Sequence, residues 1–334
     1  MRRLSKQQEQ ALREYIGVFI ESPIATTIMD DFDRLRYNKH LGGEQQCMLL
    51  TGDTGSGKSR LIQEYKQRLC SDPNESSFSL LVSRIPSKPS LSSTIIQLLK
   101  DMGHFGSTYR KGISNDQSLT ESLIRCLSSK NTEIIIINEF QELVEFKSGK
   151  ALSEIANRFK YISEEAQVPI VLVGMPWAKK ITTEPQWASR LLIQRELEYF
   201  KLSNDEHEHF FRFVKGLILR MPLDQSEKLF KTSSFLSLFS VSQGQIRKLK
   251  LFLDEALKLA MLEEQSEITP HSFSKVFSMW YPNQTNPFRQ KAEEIIGQEV
   301  KSYSYYDSEA DNEFEAIIPT QYTDKLTLSQ IIKK

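Results

Sequence analysis

The chain has 334 residues, a formal net charge of zero at pH 7, 39% hydrophobic residues and 26% charged residues. This length predicts about two domains, and the neutral charge excludes a uniformly basic protein, so any nucleic-acid-binding surface must be local. Three widely spaced cysteines without a C-x-x-C pair argue against a disulfide framework or zinc site, and neither a membrane span nor a signal peptide is evident, so we expect a cytoplasmic protein.

Two helices are predicted at the start of the chain, over residues 5–21 and 26–35, with a break at Ser22-Pro23. Segments at this position in nucleotide-binding ATPases often line the adenine pocket. Residues 20–24 are therefore candidates for that role, although a plain packing role is equally consistent with their sequence. We expect residues 1–40 to form N-terminal helices that flank a nucleotide site.

The central motif is a glycine-rich loop at residues 52–59, which fits the pattern G-x-x-x-x-G-K-[ST] at every fixed position. An apolar run predicts a buried strand before it, and apolar residues at helical spacing predict a helix after it. Such a loop points backbone N–H groups at a phosphate, and the following helix adds the positive end of its dipole. Lys58 would reach the β- and γ-phosphates of ATP, and the Ser59 hydroxyl would hold Mg²⁺. The residues predicted to bind nucleotide are Gly52, Asp53, Thr54, Gly55, Ser56, Gly57, Lys58 and Ser59.

Strands and helices then alternate as far as residue 174. Strands are predicted at residues 47–50, 78–82, 133–137 and 169–174, and helices at residues 92–102, 118–127 and 151–166. This alternation predicts an α/β fold, a three-layer sandwich with a parallel sheet. Two of the connecting loops are basic, one with Tyr109-Arg110-Lys111 and one with Lys147 and Lys150.

Four consecutive isoleucines at residues 134–137 predict a fully buried strand that ends in Asn138-Glu139. The carboxyl ends of parallel strands are where open α/β sheets place their ligands. In P-loop ATPases an Asp normally supports the Mg²⁺ shell at the position of Asn138, and an amide brings no negative charge there. Glu139 suits the residue that polarises the attacking water. The pair predicts nucleotide binding with slow hydrolysis.

A last strand is predicted at residues 197–202, and helices follow at residues 205–220, 225–242, 244–262 and 271–280. Arg247 lies in the first turn of its helix, where the dipole disfavours a cation unless an anion lies nearby. Beyond residue 282 the apolar pattern weakens and acidic residues accumulate. We therefore predict a core at residues 41–202, a helical lid at 203–282 and a partly disordered partner-binding tail at 283–334, dispensable for ATP binding.

The order of these motifs resembles the AAA+ ATPases, with an α/β core and a helical lid. More narrowly, it is similar to the TnsC/TniB family of transposition regulators. The segments that carry this likeness are Ile85-Pro86-Ser87-Lys88-Pro89, Asn138-Glu139-Phe140-Gln141, Val171-Leu172-Val173-Gly174-Met175-Pro176 and Ile268-Thr269. The resemblance implies ATP and Mg²⁺ as cofactors, and a bacterial, nucleoid-associated oligomer, a ring or filament on duplex DNA. It also implies that the chain links a TniQ-type target-selection protein to the transposase.

The same resemblance implies roles for individual residues. Glu139 matches the catalytic glutamate, and Arg247 the sensor-2 arginine that contacts nucleotide. Arg190 resembles the arginine finger offered to the neighbouring subunit's ATP, with Arg195 as the next candidate. The residues expected to contact DNA from loops facing the centre of a ring are Arg110, Lys111, Lys147 and Lys150. The sequence departs from the family at Asn138 and at Gly174-Met175, which lacks a polar sensor-1 side chain.

Two other classes of function stay open at this point. A replication-initiator-like helicase loader would usually keep the Walker B Asp and a polar sensor 1. A STAND-type signalling NTPase, a nucleotide-switched protein scaffold, would usually carry long repeat domains, whereas residues 283–334 alone follow the predicted lid. A metabolic kinase is not favoured, because nothing beyond the P-loop offers a second substrate pocket. Transposition regulation, with ATP as an assembly switch, is the main prediction.

Overall fold

The computed structural model describes residues 3–73, 76, 78–87, 89–104, 116–145, 147–203, 206–307, 309–310, 312, 315–327 and 330. The helices of this part of the chain are α1 (Lys6–Ile16), α2 (Pro23–His40), α3 (Lys58–Ser71), α4 (Leu91–Asp101), α5 (Asp116–Ser129), α6 (Gln141–Val144), α7 (Gly149–Ala166), α8 (Pro185–Ala188), α9 (His207–Ile218), α10 (Thr232–Ser242), α11 (Ile246–Leu262) and α12 (Pro270–Trp280). Within the described ranges, none of these helices combines the length and the apolar character needed to cross a membrane.

The strands are β1 (Met48–Gly52), β2 (Leu80–Arg84), β3 (Ile134–Asn138), β4 (Ile170–Gly174), β5 (Ile193–Leu197), β6 (Asp224–Gln225), β7 (Glu267–Ile268), β8 (Ile296–Gly297), β9 (Val300–Ser302), β10 (Tyr305–Tyr306), β11 (Ile317–Ile318), β12 (Gln321–Tyr322) and β13 (Leu326–Thr327). Short 3-10 helices cover Pro176–Thr183, Glu227–Phe230, Pro287–Arg289 and Ala292–Glu294.

Strands β1 to β5 form one sheet in the order β2-β3-β4-β1-β5, in which every neighbouring pair is parallel. Helices α2 and α3 cover one face of this sheet, and α4, α5 and α7 cover the other. The four isoleucines of β3 are buried because both faces are covered. The predicted three-layer α/β sandwich is confirmed. Because the strands are parallel, the P-loop, Asn138 and the end of β5 lie together at the carboxyl ends of the strands.

Helices α9 to α12 form the lid around a second core that contains Phe210, Phe239, Phe252 and Phe273. Helix α1 contributes Leu12 and Tyr15 to this lid core, whereas α2 packs on the sheet. The N-terminal helices predicted at residues 1–40 therefore do not form one unit. They are divided between the two cores that enclose the P-loop.

The position predicted for the last strand of the sheet, residues 197–202, is wrong, because β5 covers Ile193–Leu197. Strand β5 is one of the two edge strands of this five-stranded sheet, the other being β2, and it carries charged side chains. One of them, Arg195, donates from Nε to Oδ2 of the buried Asp31 on α2 at 2.7 Å. This ion pair stabilises a charged residue within the strand. The more apolar residues that follow Leu197 connect the strand to the lid.

The prediction of a partly disordered tail at residues 283–334 is wrong for the described residues. Ile295 is buried in the lid core, and the Phe288 ring stacks on Phe252 with 5.7 Å between centroids. Short antiparallel pairs join β8 to β13, β9 to β12 and β10 to β11. A few apolar residues, among them Phe288 and Ile295, anchor this region on the lid core. Because acidic residues accumulate in the rest of the region, its composition suggested disorder. We call residues 295–327 the C-terminal segment.

Candidate nucleotide-binding site

The P-loop connects the carboxyl end of β1 to the first residue of α3, Lys58. Gly55 and Gly57 have φ angles of +80° and +103°, in the left-handed region that favours glycine. A Cβ atom on Gly55 would also lie 3.1 Å from the Cβ of Arg247. Backbone conformation favours glycine at both positions, and at Gly55 the close neighbour adds to this preference.

Lys58 lies over this loop with a side chain that is only 8% exposed. Its Nζ atom donates to the carbonyl oxygens of Gly52 at 2.6 Å and Asp53 at 3.0 Å. Burial lowers the pKa of Lys58 to about 8, against the opposing effect of the Glu139 and Asp53 charges. Nearby, the buried Ser56 hydroxyl has no hydrogen-bond partner among the described residues. A buried cation beside an unpaired hydroxyl fits an anionic ligand such as a triphosphate.

Asn138 and Glu139 lie beside the P-loop, as the sequence predicts. The Asn138 Nδ2 atom donates to Ser59 Oγ at 3.3 Å, and its Oδ1 atom accepts from the Glu139 N–H at 3.0 Å. Glu139 has a φ angle of +59°, an uncommon conformation for a residue with a side chain. The structure thus brings the amide next to the hydroxyl predicted to hold Mg²⁺.

Gln141 is a part of this cluster that the sequence did not single out as a site residue. Its Nε2 atom donates to Glu139 Oε2 at 2.8 Å, and its Oε1 atom accepts from the Met175 N–H at 3.1 Å. Gln141 therefore fixes the Glu139 carboxylate and ties the end of β3 to the end of β4. Its buried position at the start of α6 is not evident from residue type alone.

Arg247 reaches the P-loop from the lid. Its backbone N–H donates to the Gly55 carbonyl oxygen at 3.1 Å, and its Nη1 atom donates to Thr54 Oγ1 at 3.4 Å. The first turn of α11 is placed by Gly244, where φ is +78° and a Cβ atom would lie 2.0 Å from the Phe200 carbonyl oxygen. Arg247, whose charge is disfavoured by the helix dipole in the first turn of α11, thus lies beside the predicted phosphate site.

Two adjoining cavities of about 100 and 330 Å³ lie between the N-terminal helices, the P-loop and the lid. The smaller one extends to Ser56 and Gly57, and the larger one is lined by all of residues 20–24, the candidates for an adenine pocket. Both cavities are mainly apolar, as small-molecule sites usually are. The residues that line both are Ile20, Ser22, Leu197, Phe213 and Ile246.

Arg190 lies at the amino-terminal end of the strands, away from the P-loop, where its carbonyl oxygen accepts from the Cys47 N–H just before β1. Its guanidinium is 9% exposed, pairs with Glu164 and with Glu44 at 3.0 Å, and donates to the Gln45 carbonyl oxygen. Both carboxylate partners are accessible, since the side chains of Glu164 and Glu44 are 40% and 81% exposed. Within its own chain Arg190 is held by these partners, and its predicted role as an arginine finger stays a prediction.

The predicted DNA contacts are only partly within the described residues. Lys150 is exposed in the first turn of α7, and Lys147 is half-buried just before it. Lys180 adds a third cation, because its Nζ atom donates to the Lys147 carbonyl oxygen at 3.4 Å. We call Lys147, Lys150 and Lys180 the basic patch. Arg110 and Lys111 lie outside the described residues, and their predicted role stays a prediction.

The solved structures that share this fold over most of the chain include the following three. ORC2 of Aeropyrum pernix, in ADPNP and ADP complexes, has 15% identity and a TM-score of 0.60, with 80% of this chain and 71% of that one covered. ORC1 of Aeropyrum pernix, in complex with DNA, has 15% identity and a TM-score of 0.56, with 82% and 69% covered. Cdc6p of Pyrobaculum aerophilum has 13% identity and a TM-score of 0.57, with 78% and 68% covered.

At these identities the likeness shows the fold alone, which is that of the AAA+ P-loop ATPases. No curated protein matches the chain. The family model for "Bacterial TniB protein" matches residues 13–201, which is more than half of the 334 residues. The matched range runs from α1 through the whole sheet and includes the P-loop and Asn138-Glu139. The chain therefore belongs to the TniB family.

Proposed function

We propose that this chain is an ATP-dependent regulator of DNA transposition. It assembles as a ring or filament on duplex DNA and links a TniQ-type target selector to the transposase. The observation that best supports this function is the meeting of Arg247 from the lid with Thr54 and Gly55 of the P-loop, in a chain that belongs to the TniB family. Because the lid contacts the phosphate loop, the position of the lid can change with the bound nucleotide and so alter contacts with neighbouring molecules.

ATP would bind with its phosphates against residues 52–59 and its base in the apolar cavities beside Ile20 and Phe213. Lys58 and Arg247 supply positive charge next to that loop, where it opposes the triphosphate at short range. Mg²⁺, bound through Ser59 Oγ, would neutralise phosphate charge. The described residues hold no cluster of three or more His, Cys, Asp or Glu side chains that could form a separate metal cage. These residues fit an Mg²⁺ ion that is bound jointly by the Ser59 hydroxyl and by phosphate oxygens of the nucleotide.

Hydrolysis depends on Glu139, which would orient the attacking water while Gln141 holds its carboxylate through the 2.8 Å hydrogen bond. Asn138 presents an amide donor to Ser59, and not a carboxylate. Less negative charge near the metal ligand favours slow turnover. A slowly hydrolysed nucleotide suits an assembly switch, in which ATP stabilises the oligomer and hydrolysis releases it.

DNA binding would come from the basic patch, repeated around an oligomer. The chain has no net charge, so one subunit offers few phosphate contacts and should bind weakly. Repetition of the same contacts raises the effective affinity without any new contact, because later subunits bind at high local concentration. Contacts of this kind carry little sequence information. We expect binding that depends on ATP and is indifferent to sequence.

The assembly can be tested by light scattering and negative-stain electron microscopy with duplex DNA and a slowly hydrolysed ATP analogue. We expect rings or filaments with nucleotide and monomers without it. Lys58→Ala is the control and should give no assembly. A transposition assay with a TniQ-type protein and a transposase separates this function from that of a helicase loader. Assembly without any effect on transposition would contradict the proposed role.

A further inference from the structure

The C-terminal segment touches the P-loop at several points that the proposed function does not use. We propose that this segment supports the P-loop of the nucleotide site, and that Tyr303 and Thr320 are positioning residues that hold the P-loop ready for phosphate. The proposal rests on the proposed nucleotide site. It replaces the expectation of a tail that is dispensable for ATP binding.

The first contact is made to the side chain of Asp53, which is 2% exposed. Its Oδ1 atom accepts from the Thr54 N–H at 2.6 Å. Its Oδ2 atom accepts from the Ser304 N–H at 3.0 Å and from the Thr320 hydroxyl. Among the described residues, two of the three donors to this buried carboxylate thus belong to the C-terminal segment. Hydrogen bonds to a charged acceptor are stronger than neutral ones, so they fix the Asp53 side chain.

The second contact runs through an aromatic pair. The Tyr199 hydroxyl donates to the Thr54 carbonyl oxygen at 2.6 Å, and the Tyr199 N–H donates to the Tyr303 hydroxyl oxygen at 2.8 Å. The two rings pack edge to face with 5.5 Å between centroids. Burial raises the pKa of both phenols further above neutral pH. Tyr303 therefore holds Tyr199, which holds the loop.

The third contact is made to the lid close to Arg247. Gln245 Nε2 donates to the Tyr322 hydroxyl oxygen at 2.8 Å. The segment itself is anchored by the buried Ile295. The Glu299 carboxylate adds a second anchor, because it accepts from the N–H groups of Leu202 and Ser203. Residues 53–55 are thus held from the C-terminal segment directly, through Tyr199 and through the lid.

A phosphate-binding loop must present its N–H groups in one geometry, and ordering a loose loop upon binding weakens affinity. The three contacts order residues 53–55 before nucleotide arrives. Removal of one contact should therefore weaken nucleotide binding more than it weakens folding. Deletion of the whole segment does not test this, because Ile295 is part of the lid core.

The test uses single hydroxyl deletions in the full chain and the dissociation constant of a fluorescent ATP analogue. Thr320→Val and Tyr303→Phe should each weaken binding by about tenfold, which is the usual effect of losing one such hydrogen bond. Thr320→Ser keeps the hydroxyl and should bind like the wild type. Matched controls are Ser302→Ala, whose hydroxyl donates to the exposed Gln321 side chain at 3.4 Å, and Tyr305→Phe, whose ring is exposed. Both should bind like the wild type.

Thermal unfolding with and without ATP distinguishes positioning from a purely structural role. A positioning residue changes the stabilisation that ATP adds, whereas a structural residue lowers the unfolding temperature equally in both conditions. Unchanged dissociation constants in Thr320→Val and Tyr303→Phe, or equally weakened binding in the controls, would overturn the inference. If the wild-type chain bound no nucleotide, the proposed function would fail instead.

Discussion

At the scale of single residues, charge and hydrogen-bond direction govern the behaviour of the nucleotide site. Asn138 differs from Asp by a donor in place of an acceptor, and it donates to Ser59 Oγ at 3.3 Å. A carboxylate there would accept from the hydroxyl and add negative charge near the metal ligand. Asn138→Asp should therefore raise ATP turnover, by about tenfold if the missing charge limits the chemical step. Steady-state phosphate release measures this rate.

Glu139→Gln is the matched control for that experiment, because it keeps the shape and removes the carboxylate that orients water. It should lower turnover and prolong the ATP-bound assembly. An unchanged or lower rate in Asn138→Asp would show that the site is adapted to the amide.

The lowered pKa of Lys58, about 8 against an ordinary value of 10.5, predicts opposite pH dependences for binding and stability. A bound triphosphate favours protonated Lys58, so ATP affinity should be full below pH 8 and fall above it, by at most about tenfold per pH unit. Between pH 8 and 10.5 the unfolded chain binds more protons, so this group raises the free energy of unfolding as pH rises. Calorimetric titrations at pH 7 and 9.5 check the first effect. Lys58→Arg should flatten the dependence, and an equally steep fall in that variant would assign it to another group.

At the scale of elements, the junction between α10 and α11 sets the approach of the lid to the P-loop. A Cβ atom at Gly244 would lie 2.0 Å from the Phe200 carbonyl oxygen, at a φ of +78°. Gly244→Ala should lower the free energy of unfolding by about 2 kcal/mol or more and weaken ATP binding, because it displaces Arg247. Gly43→Ala is the control, since a Cβ atom there would meet no described atom within 4 Å. Equal ATP affinities in the two variants would show that the position of the lid does not affect nucleotide binding.

The elements that could be predicted from sequence are those with strong local signals. The isoleucine run of β3 and the P-loop each specify their own conformation, so the sheet and the phosphate site follow from them. The position of β5 could not be predicted because its Arg195 is paired with the buried Asp31, about which local sequence says nothing. The ion pair of Arg190 with Glu164 and the contact of Thr320 with Asp53 join residues far apart in the chain. Contacts of that kind depend on tertiary structure and have no periodic pattern.

At the scale of the whole molecule, the neutral chain should bind DNA through a few cations that oligomerisation brings together. Replacing Lys147 and Lys150 by Ala should weaken duplex binding and reduce the dependence of affinity on salt, by about one unit of slope for each phosphate that is no longer neutralised. ATP binding should not change, since neither side chain contacts the P-loop within the described part of the chain. Lys66→Ala removes an exposed cation from α3 and is the control. Equally weakened DNA binding in the two variants would mean that general charge, and not the basic patch, attracts DNA.

The central claim, ATP-dependent assembly on duplex DNA, is tested most directly by a filter-binding titration across salt concentrations with and without ATP and Mg²⁺. We predict sequence-indifferent duplex binding with ATP, a steep loss of affinity as salt rises, and little binding without nucleotide or with Lys58→Ala. Absence of duplex binding at low salt in the presence of ATP would contradict the claim and favour a nucleotide-switched protein scaffold.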